Sequence, residues 1–354
     1  MQSILPTSLA TALAIPTSSS DGIQLSPDIS YGDVSLGGYI ACVMTKYALQ
    51  HAAQHPIMRG QPDIHASTVQ FYRPVLTSKV AAMKVHEVSI GKGWSTLRIE
   101  LFQTDKIAAS VDATLTNFAM PNVNLQTGWT LSPPSTPVDL SKLESDGDPR
   151  WVSYQTAFHP DGFRRASSYV KTFIPKDWPT DIGRLEQWVL PGWDCFPQGS
   201  CAAETEADKA RWTTDMIQFV VDMGLPVQEN LYPTQPGKPL PMASVAAILG
   251  FSAAQKKARL QGVPRWRELD LDGSKRIMAQ SVHVTLKMST EIKKNLPADG
   301  TRWLYMRTEA KRIVDGRLDM EVLLFDQDMQ LIAISNHVGQ IIPASRKMQK
   351  KAQL

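Results

Sequence analysis

Cysteine is scarce: Cys42, Cys195 and Cys201 are the three in 354 residues. So low a count excludes a disulfide-framed mini-domain. With no Cys-x-x-Cys and no His-Glu-x-x-His, no metal site is expected. Free thiols in a reducing compartment are the ordinary reading, and a Cys195–Cys201 loop disulfide is the alternative. Excess charge of one sign is also missing. Lys plus Arg number 37 against 34 Asp plus Glu, and a net +3 is too small to argue for nucleic acid. The most apolar stretch, 242–254, is too short to span a bilayer. No Gly-x-Ser-x-Gly elbow, phosphate loop or dinucleotide fingerprint occurs. An α/β-hydrolase and a nucleotide cofactor are therefore disfavoured, and no cofactor is expected. At 43% hydrophobic and 20% charged residues, the chain reads as a soluble globular protein of about two domains, or one duplicated unit.

What is present is an internal repeat. Gly93-Trp94-Ser95-Thr96-Leu97-Arg98-Ile99-Glu100-Leu101-Phe102 has a counterpart in Gly316-Arg317-Leu318-Asp319-Met320-Glu321-Val322-Leu323-Leu324-Phe325. Each leads into a short polar turn, 103–106 and 326–330. Each resumes in a similar strand, Ile107-Ala108-Ala109-Ser110 and Ile332-Ala333-Ile334-Ser335. A helical segment lies upstream in both halves. The first is 38–53, behind the Gly37-Gly38 turn. The second is 208–223, where Met216, Phe219, Val220 and Met223 fall at helical spacing and Gly224 and Pro226 end it. Strands are predicted at 68–75 and 79–88 before the first hairpin, and at 281–288 and 302–312 before the second. Two more, 168–173 and 184–189, precede the second helix. Asp315-Gly316 is a hairpin signal.

Each half thus reads as one central helix with an antiparallel meander that buries one face on it. Segment 281–288 alternates cleanly. Its apolar residues are predicted to pack on the helix, with His283, Thr285 and Lys287 on the opposite face. The domain reading is a loose lead-in at 1–20, an N-terminal repeat at 21–121, and a Ser/Thr/Pro/Asp-rich linker at 122–150. A C-terminal repeat follows at 151–345, with an insert near 228–275, and then a basic tail at 346–354. Within the insert, 242–260 is predicted to be a helix, either a lid or a docked surface element. Trp151, Trp178, Trp188, Trp193 and Trp212 are assigned to core packing ahead of an acyl pocket.

The order and spacing of several motifs resemble acyl-CoA thioesterase II and the wider thioesterase-like group, including fungal secondary-metabolite versions. In the first repeat these are Gly37-Gly38-Tyr39-Ile40-Ala41, Phe71-Tyr72-Arg73-Pro74-Val75 and Gly93-Trp94-Ser95. In the second they are Asp222-Met223-Gly224-Leu225-Pro226, Trp303-Leu304-Tyr305, and Asp315-Gly316-Arg317 through Leu331-Ile332-Ala333. The resemblance implies an α+β double hotdog: two antiparallel sheets, each wrapped around a central helix. It implies an acyl or polyketide thioester as substrate, with no nucleic acid, no membrane span and a homo-oligomer left open.

The family's usual site sets an Asp, a Ser or Thr, and a Gln around the attacking water. Carried over, these positions fall on His283, Lys311 (with Thr308 as the nearest hydroxyl) and His337. Imidazole suits general acid–base work and lysine suits a developing oxyanion. Backbone N–H groups at Gly37 and Gly38 are assigned to the substrate carbonyl by analogy. Hydrolysis of the thioester leads. A non-hydrolytic cyclase, isomerase or dehydratase, and a catalytically silent acyl-binding protein, stay open. The location expected is cytoplasmic. The terminal Ala352-Gln353-Leu354, a distorted Ser-Lys-Leu, leaves a peroxisomal address as the alternative.

Overall fold

The computed structural model describes residues 6–15, 22–178, 183–194, 205–233, 237, 239–263, 266, 270–271, 273–275 and 279–343. Cys195, Cys201 and the 346–354 tail with its Ala352-Gln353-Leu354 lie outside the described residues. Five α-helices are α1 (Leu9–Ala12), α2 (Gly37–Gln54), α3 (Leu140–Leu143), α4 (Ile217–Asp222) and α5 (Val245–Leu260). Strands of the first half are β1 (Ser30–Tyr31), β2 (Val34–Ser35), β3 (Asp63–Phe71), β4 (Ala82–Ser89), β5 (Ser95–Gln103) and β6 (Lys106–Thr116). Those of the second half are β7 (Trp151–Tyr154), β8 (Val170–Pro175), β9 (Arg184–Pro191), β10 (Ser281–Ile292), β11 (Leu304–Glu309), β12 (Ile313–Val314), β13 (Arg317–Phe325) and β14 (Leu331–Pro343). Among the described residues, no helix is long and apolar enough to cross a membrane.

The expectation of two separate sheets needs correcting. Strands β3 to β14 form one twelve-stranded antiparallel sheet, ordered β4-β5-β6-β3-β10-β14-β13-β11-β9-β8-β7, with β12 beside β13. The join is β3 on β10, from Lys287↔Gln70 to Glu291↔Ala66. Left apart, each of these strands would present an unpaired edge, and pairing them satisfies both rows of backbone groups. Two of the predicted turns, 103–106 and Asp315-Gly316, close in the same way. Thr104 and Asp105, and then Asp315 and Gly316, all have positive φ, the geometry of a two-residue turn matched to strand twist. A Cβ on Gly316 would lie 2.5 Å from the Ile341 carbonyl oxygen, so the residue is glycine for space as well as for φ.

The helices pack against each other inside this sheet. Helix α2 is buried continuously from Gly38 to Thr45, because the sheet covers one side and α4 the other. The close crossing depends on Gly38. A Cβ there would meet the Gln218 carbonyl oxygen at 2.5 Å and the Asp222 Cβ at 2.6 Å. Cys42 is free and buried at this crossing, and its Sγ accepts the Phe219 N–H at 3.2 Å. The second helix is shorter than its apolar spacing predicts. Residues 214–216 form a 3-10 turn, and only Ile217–Asp222 is α-helical. Upstream, Trp212 exchanges both backbone hydrogen bonds with Thr301, which takes that part of the chain out of any helix. Helix α5 forms as predicted and packs on β7, with Val245 and Ile248 against Tyr154, Ile174 and Leu185.

Segment 122–150 holds little regular structure but is firmly seated. Its Leu131, Val138, Leu140 and Leu143 pack on the outer side of β7, β8, β9, β11 and β13, and β8 and most of β9 and β11 are buried on both faces. Trp151, Trp188, Trp303, Tyr305 and Phe325 form a core beneath it, and Trp129 stacks on Phe325 with planes 9° apart. Trp193 and Trp212 join the main inner core. A buried ion pair ties the segment down. Arg307 Nη2 lies 3.0 Å from Glu186 Oε2, with side chains 3% and 0% exposed. Arg307 also donates to the Pro133 carbonyl, and the Thr136 N–H donates to Glu186. Removing one partner leaves the other charge buried and alone. Arg307→Ala is therefore expected to cost about 3–5 kcal/mol in urea unfolding. A loss under about 1 kcal/mol, the range of exposed pairs, would show that this ion pair does not hold the segment.

Candidate active site

Strand β10 decides which side chains face the helices. Its register with β14 slips between Thr285 and Lys287, so Leu286 is an extra residue. A bulge of this kind reverses the alternation beyond it. Ser281, His283 and Thr285 therefore share the inner face with Met288 and Thr290. Val284 and Leu286 point outward, at 38% and 39% exposure. The predicted assignment of faces is thus inverted over 281–286 and holds at Lys287 and Met288. Unbroken alternation would have put Met288 with Val284 and Leu286.

The inner face of β14 carries Ser335 and His337, paired with Thr290 and Met288 on β10. Thr290 Oγ1 and Ser335 Oγ are 2.7 Å apart, and Ser335 Oγ is 2.9 Å from His337 Nε2. His337 is 4% exposed, and burial alone pushes its imidazole down to about 4. The ring is therefore neutral at neutral pH. Its other nitrogen, Nδ1, has no hydrogen-bond partner and lies 3.9 Å from Asp222 Oδ1.

Asp222 is the last residue of α4, and its side chain is 10% exposed. Its Oδ2 accepts the Gly38 N–H at 2.6 Å, so a carboxylate from the second half caps the central helix of the first. Burial pushes this carboxyl up to about 7, and the Gly38 N–H opposes the rise. A negative end of the α4 dipole meets a potential anion here, which is an unfavourable place for an acid. An acid at a helix C-terminus is the signal in the sequence that marks Asp222. The resemblance places it in the Asp222-Met223-Gly224-Leu225-Pro226 motif without a chemical role.

The residues predicted for the site do not all converge. His337 and the Gly37-Gly38 turn meet at Asp222. A Cβ on Gly37 would lie 3.3 Å from Asp222 Oδ2 and 3.2 Å from Phe71 Cζ. Gly38, assigned to the substrate carbonyl, has its N–H engaged by Asp222 instead. His283 pairs in register with Ile341, four residues along β14 from His337, or about 14 Å away. Lys311 is on the other side of the sheet: its side chain is 64% exposed, with Nζ 3.6 Å from Glu321. Glu321 neighbours the inward Met320 and so faces outward. The hydroxyl on the inner face is Thr308, buried beside Gly224, with no partner for its Oγ1. A His–Lys–His cluster is therefore not formed. Among the described residues, no group of three or more His, Cys, Asp or Glu is arranged to hold a metal.

Two family profiles match the chain in tandem. The acyl-CoA thioesterase N-terminal domain covers residues 25–118, and the acyl-CoA thioesterase C-terminal domain covers residues 156–341. The chain belongs to the acyl-CoA thioesterase family. Within the curated proteins it is similar to the thioesterase-like protein TwmA of Talaromyces wortmannii, 25% identical over 350 residues, 93% of this chain and 90% of that one. Its fold is similar to a solved structure from Thermobifida fusca, described as a proposed thioesterase II, with TM-score 0.61 and 14% identity over 96% of this chain and 99% of that one. It is also similar to a hot dog fold protein of unknown function from Alicyclobacillus acidocaldarius, with TM-score 0.55 and 15% identity over 94% and 97% of the two chains. At these identities the solved structures establish the hot dog fold and carry nothing about substrate.

Proposed function

We propose that the protein hydrolyses an acyl thioester, with Asp222 as general base and His337 as its partner in holding the attacking water. The observation that carries this reading is the gap of 3.9 Å between Asp222 Oδ1 and His337 Nδ1. It is too long for a direct hydrogen bond and is the kind of span that one water bridges. If Nε2–H donates to Ser335, Nδ1 is left as an acceptor. A bridging water then gives one proton to His337 Nδ1 as a hydrogen bond and the other to Asp222, and keeps a lone pair for the thioester carbon. A carboxyl near 7 is well matched to taking that proton at neutral pH. Attack forms the C–O bond; collapse breaks the C–S bond, and the departing thiolate takes the proton held by Asp222, leaving the free acid, the free thiol and the regenerated carboxylate. Gly37 lets Phe71 and Asp222 Oδ2 pack closely at the start of α2: a Cβ there would lie 3.2 and 3.3 Å from them.

Family membership supports an acyl-CoA substrate, and the thioesterase-like relative from Talaromyces wortmannii supports thioester chemistry. A polyketide acyl group in a fungal secondary pathway is the finer part of this proposal and rests on the sequence resemblance. The cyclase, isomerase or dehydratase reading is motivated by the three replaced positions acting together, and with Lys311 on the outer face that His–Lys–His cluster is not assembled. Purified protein with an acyl-CoA panel from acetyl to palmitoyl is expected to release free thiol at one or more chain lengths. A panel with retained acyl-CoA binding and no thiol release would favour an acyl-binding protein instead.

A further inference from the structure

Five side chains beyond the Asp222–His337 pair form a second polar cluster under the segment that follows α4. Gln228 Nε2 is 2.8 Å from His283 Nδ1. With the amide donating, the ring proton sits on Nε2, which faces Ser281 Oγ at 3.0 Å and Glu229 Oε1 at 3.2 Å. Tyr232 donates its hydroxyl to Ser281 Oγ at 2.9 Å. Gln228 and Glu229 are 4% and 2% exposed, yet Gln228 Oε1 and Glu229 Oε2 have no partner. Leaving a buried carboxylate oxygen unpaired is costly. Both orphan atoms are acceptors. Ser281 Oγ already receives two hydrogen bonds, so its own proton is available to donate. A hydroxyl both accepts the Ser281 proton and gives its one proton to an orphan acceptor, Glu229 Oε2 or Gln228 Oε1; an ammonium cannot accept and a ketone cannot donate.

The inner face of β14 leads from one site to the other. Gly339, paired with Thr285, stands between His337 and Ile341 and presents no side chain. We propose that Gln228, Glu229, Ser281 and His283 form a subsite for a hydroxyl carried on the acyl chain, about 14 Å from the reacting carbonyl. The inference rests on the thioesterase reading for its location. The subsite selects oxygenated chains over plain fatty ones of similar length, and the span corresponds to an extended lauroyl chain.

Calorimetric titration with lauric acid and with ω-hydroxylauric acid tests the subsite without any turnover. The hydroxy acid is expected to bind about tenfold more tightly, as for one hydrogen bond to a charged group. Glu229→Gln and, separately, Gln228→Met are each expected to remove most of that preference while leaving lauric acid affinity unchanged. Equal affinity of the two acids for the wild type, no binding of either, or a full preference surviving in both variants would overturn the subsite. Thiol release from lauroyl-CoA in the same preparation shows separately whether the thioesterase reading holds.

Discussion

Asp222→Asn is expected to lower kcat for acyl-CoA hydrolysis by about 10²–10⁴-fold, the contribution usual for a general base. The substitution is nearly isosteric. An amide oxygen still accepts the Gly38 N–H, so the helix crossing should survive and KM should change little. In the wild type, kcat/KM should climb with pH and level off above about 7, because the buried carboxyl must ionise before it can take a proton. His337, held down to about 4, contributes no inflection in this range. Stopped assays of thiol release between pH 5.5 and 8.5 measure both effects. Near-normal kcat in Asp222→Asn, or a flat profile across pH 7, would remove Asp222 from the chemistry.

The same two groups should set opposing pH dependences of stability. Asp222 is raised from about 3.8 to about 7 on folding. Between those values the native chain holds a proton that the unfolded chain has released. Its contribution is therefore full below about pH 4 and is lost as pH rises through 7, on the order of 4 kcal/mol. His337 is lowered from about 6.5 to about 4. Between those values the unfolded chain holds the proton, so stability increases as pH climbs from 4 to 6.5, on the order of 3 kcal/mol. In the wild type the two slopes nearly cancel from about pH 4 to 6.5. Asp222→Asn should expose the rise and His337→Gln the fall. Urea unfolding at pH 4.5, 5.5 and 6.5, with each variant subtracted from wild type, reads the two slopes directly. Parallel curves for all three proteins would mean that neither group is buried as the structure places it.

How far the sequence could be read depended on how local each feature is. The turns at 103–106 and Asp315-Gly316 were legible because a tight turn is written in a few adjacent polar residues and glycine, and the structure gives positive φ at Thr104-Asp105 and Asp315-Gly316. Helix α2 was legible from 38 to 53 because its breakers and apolar spacing lie within it, and the structure gives Gly37–Gln54. Helix α4 was over-extended, because the bridge that shortens it joins Trp212 to Thr301, 89 residues away in numbering. The faces of β10 were reversed over 281–286 because one extra residue, Leu286, is defined only by its partner strand β14.

The sequence alone determined that this chain is a duplicated helix-and-meander protein of thioesterase type. That information resides in periodicity, turn chemistry and motif order, all of which act over a few residues. Tertiary structure alone decided that the two halves share one sheet, that Lys311 faces away, and that Asp222 meets His337 across the crossing at Gly38. Those outcomes depend on which backbone edges pair and which helices touch. The same contacts remove Asp222 and His337 from water and so set the proton affinities on which the proposed chemistry depends.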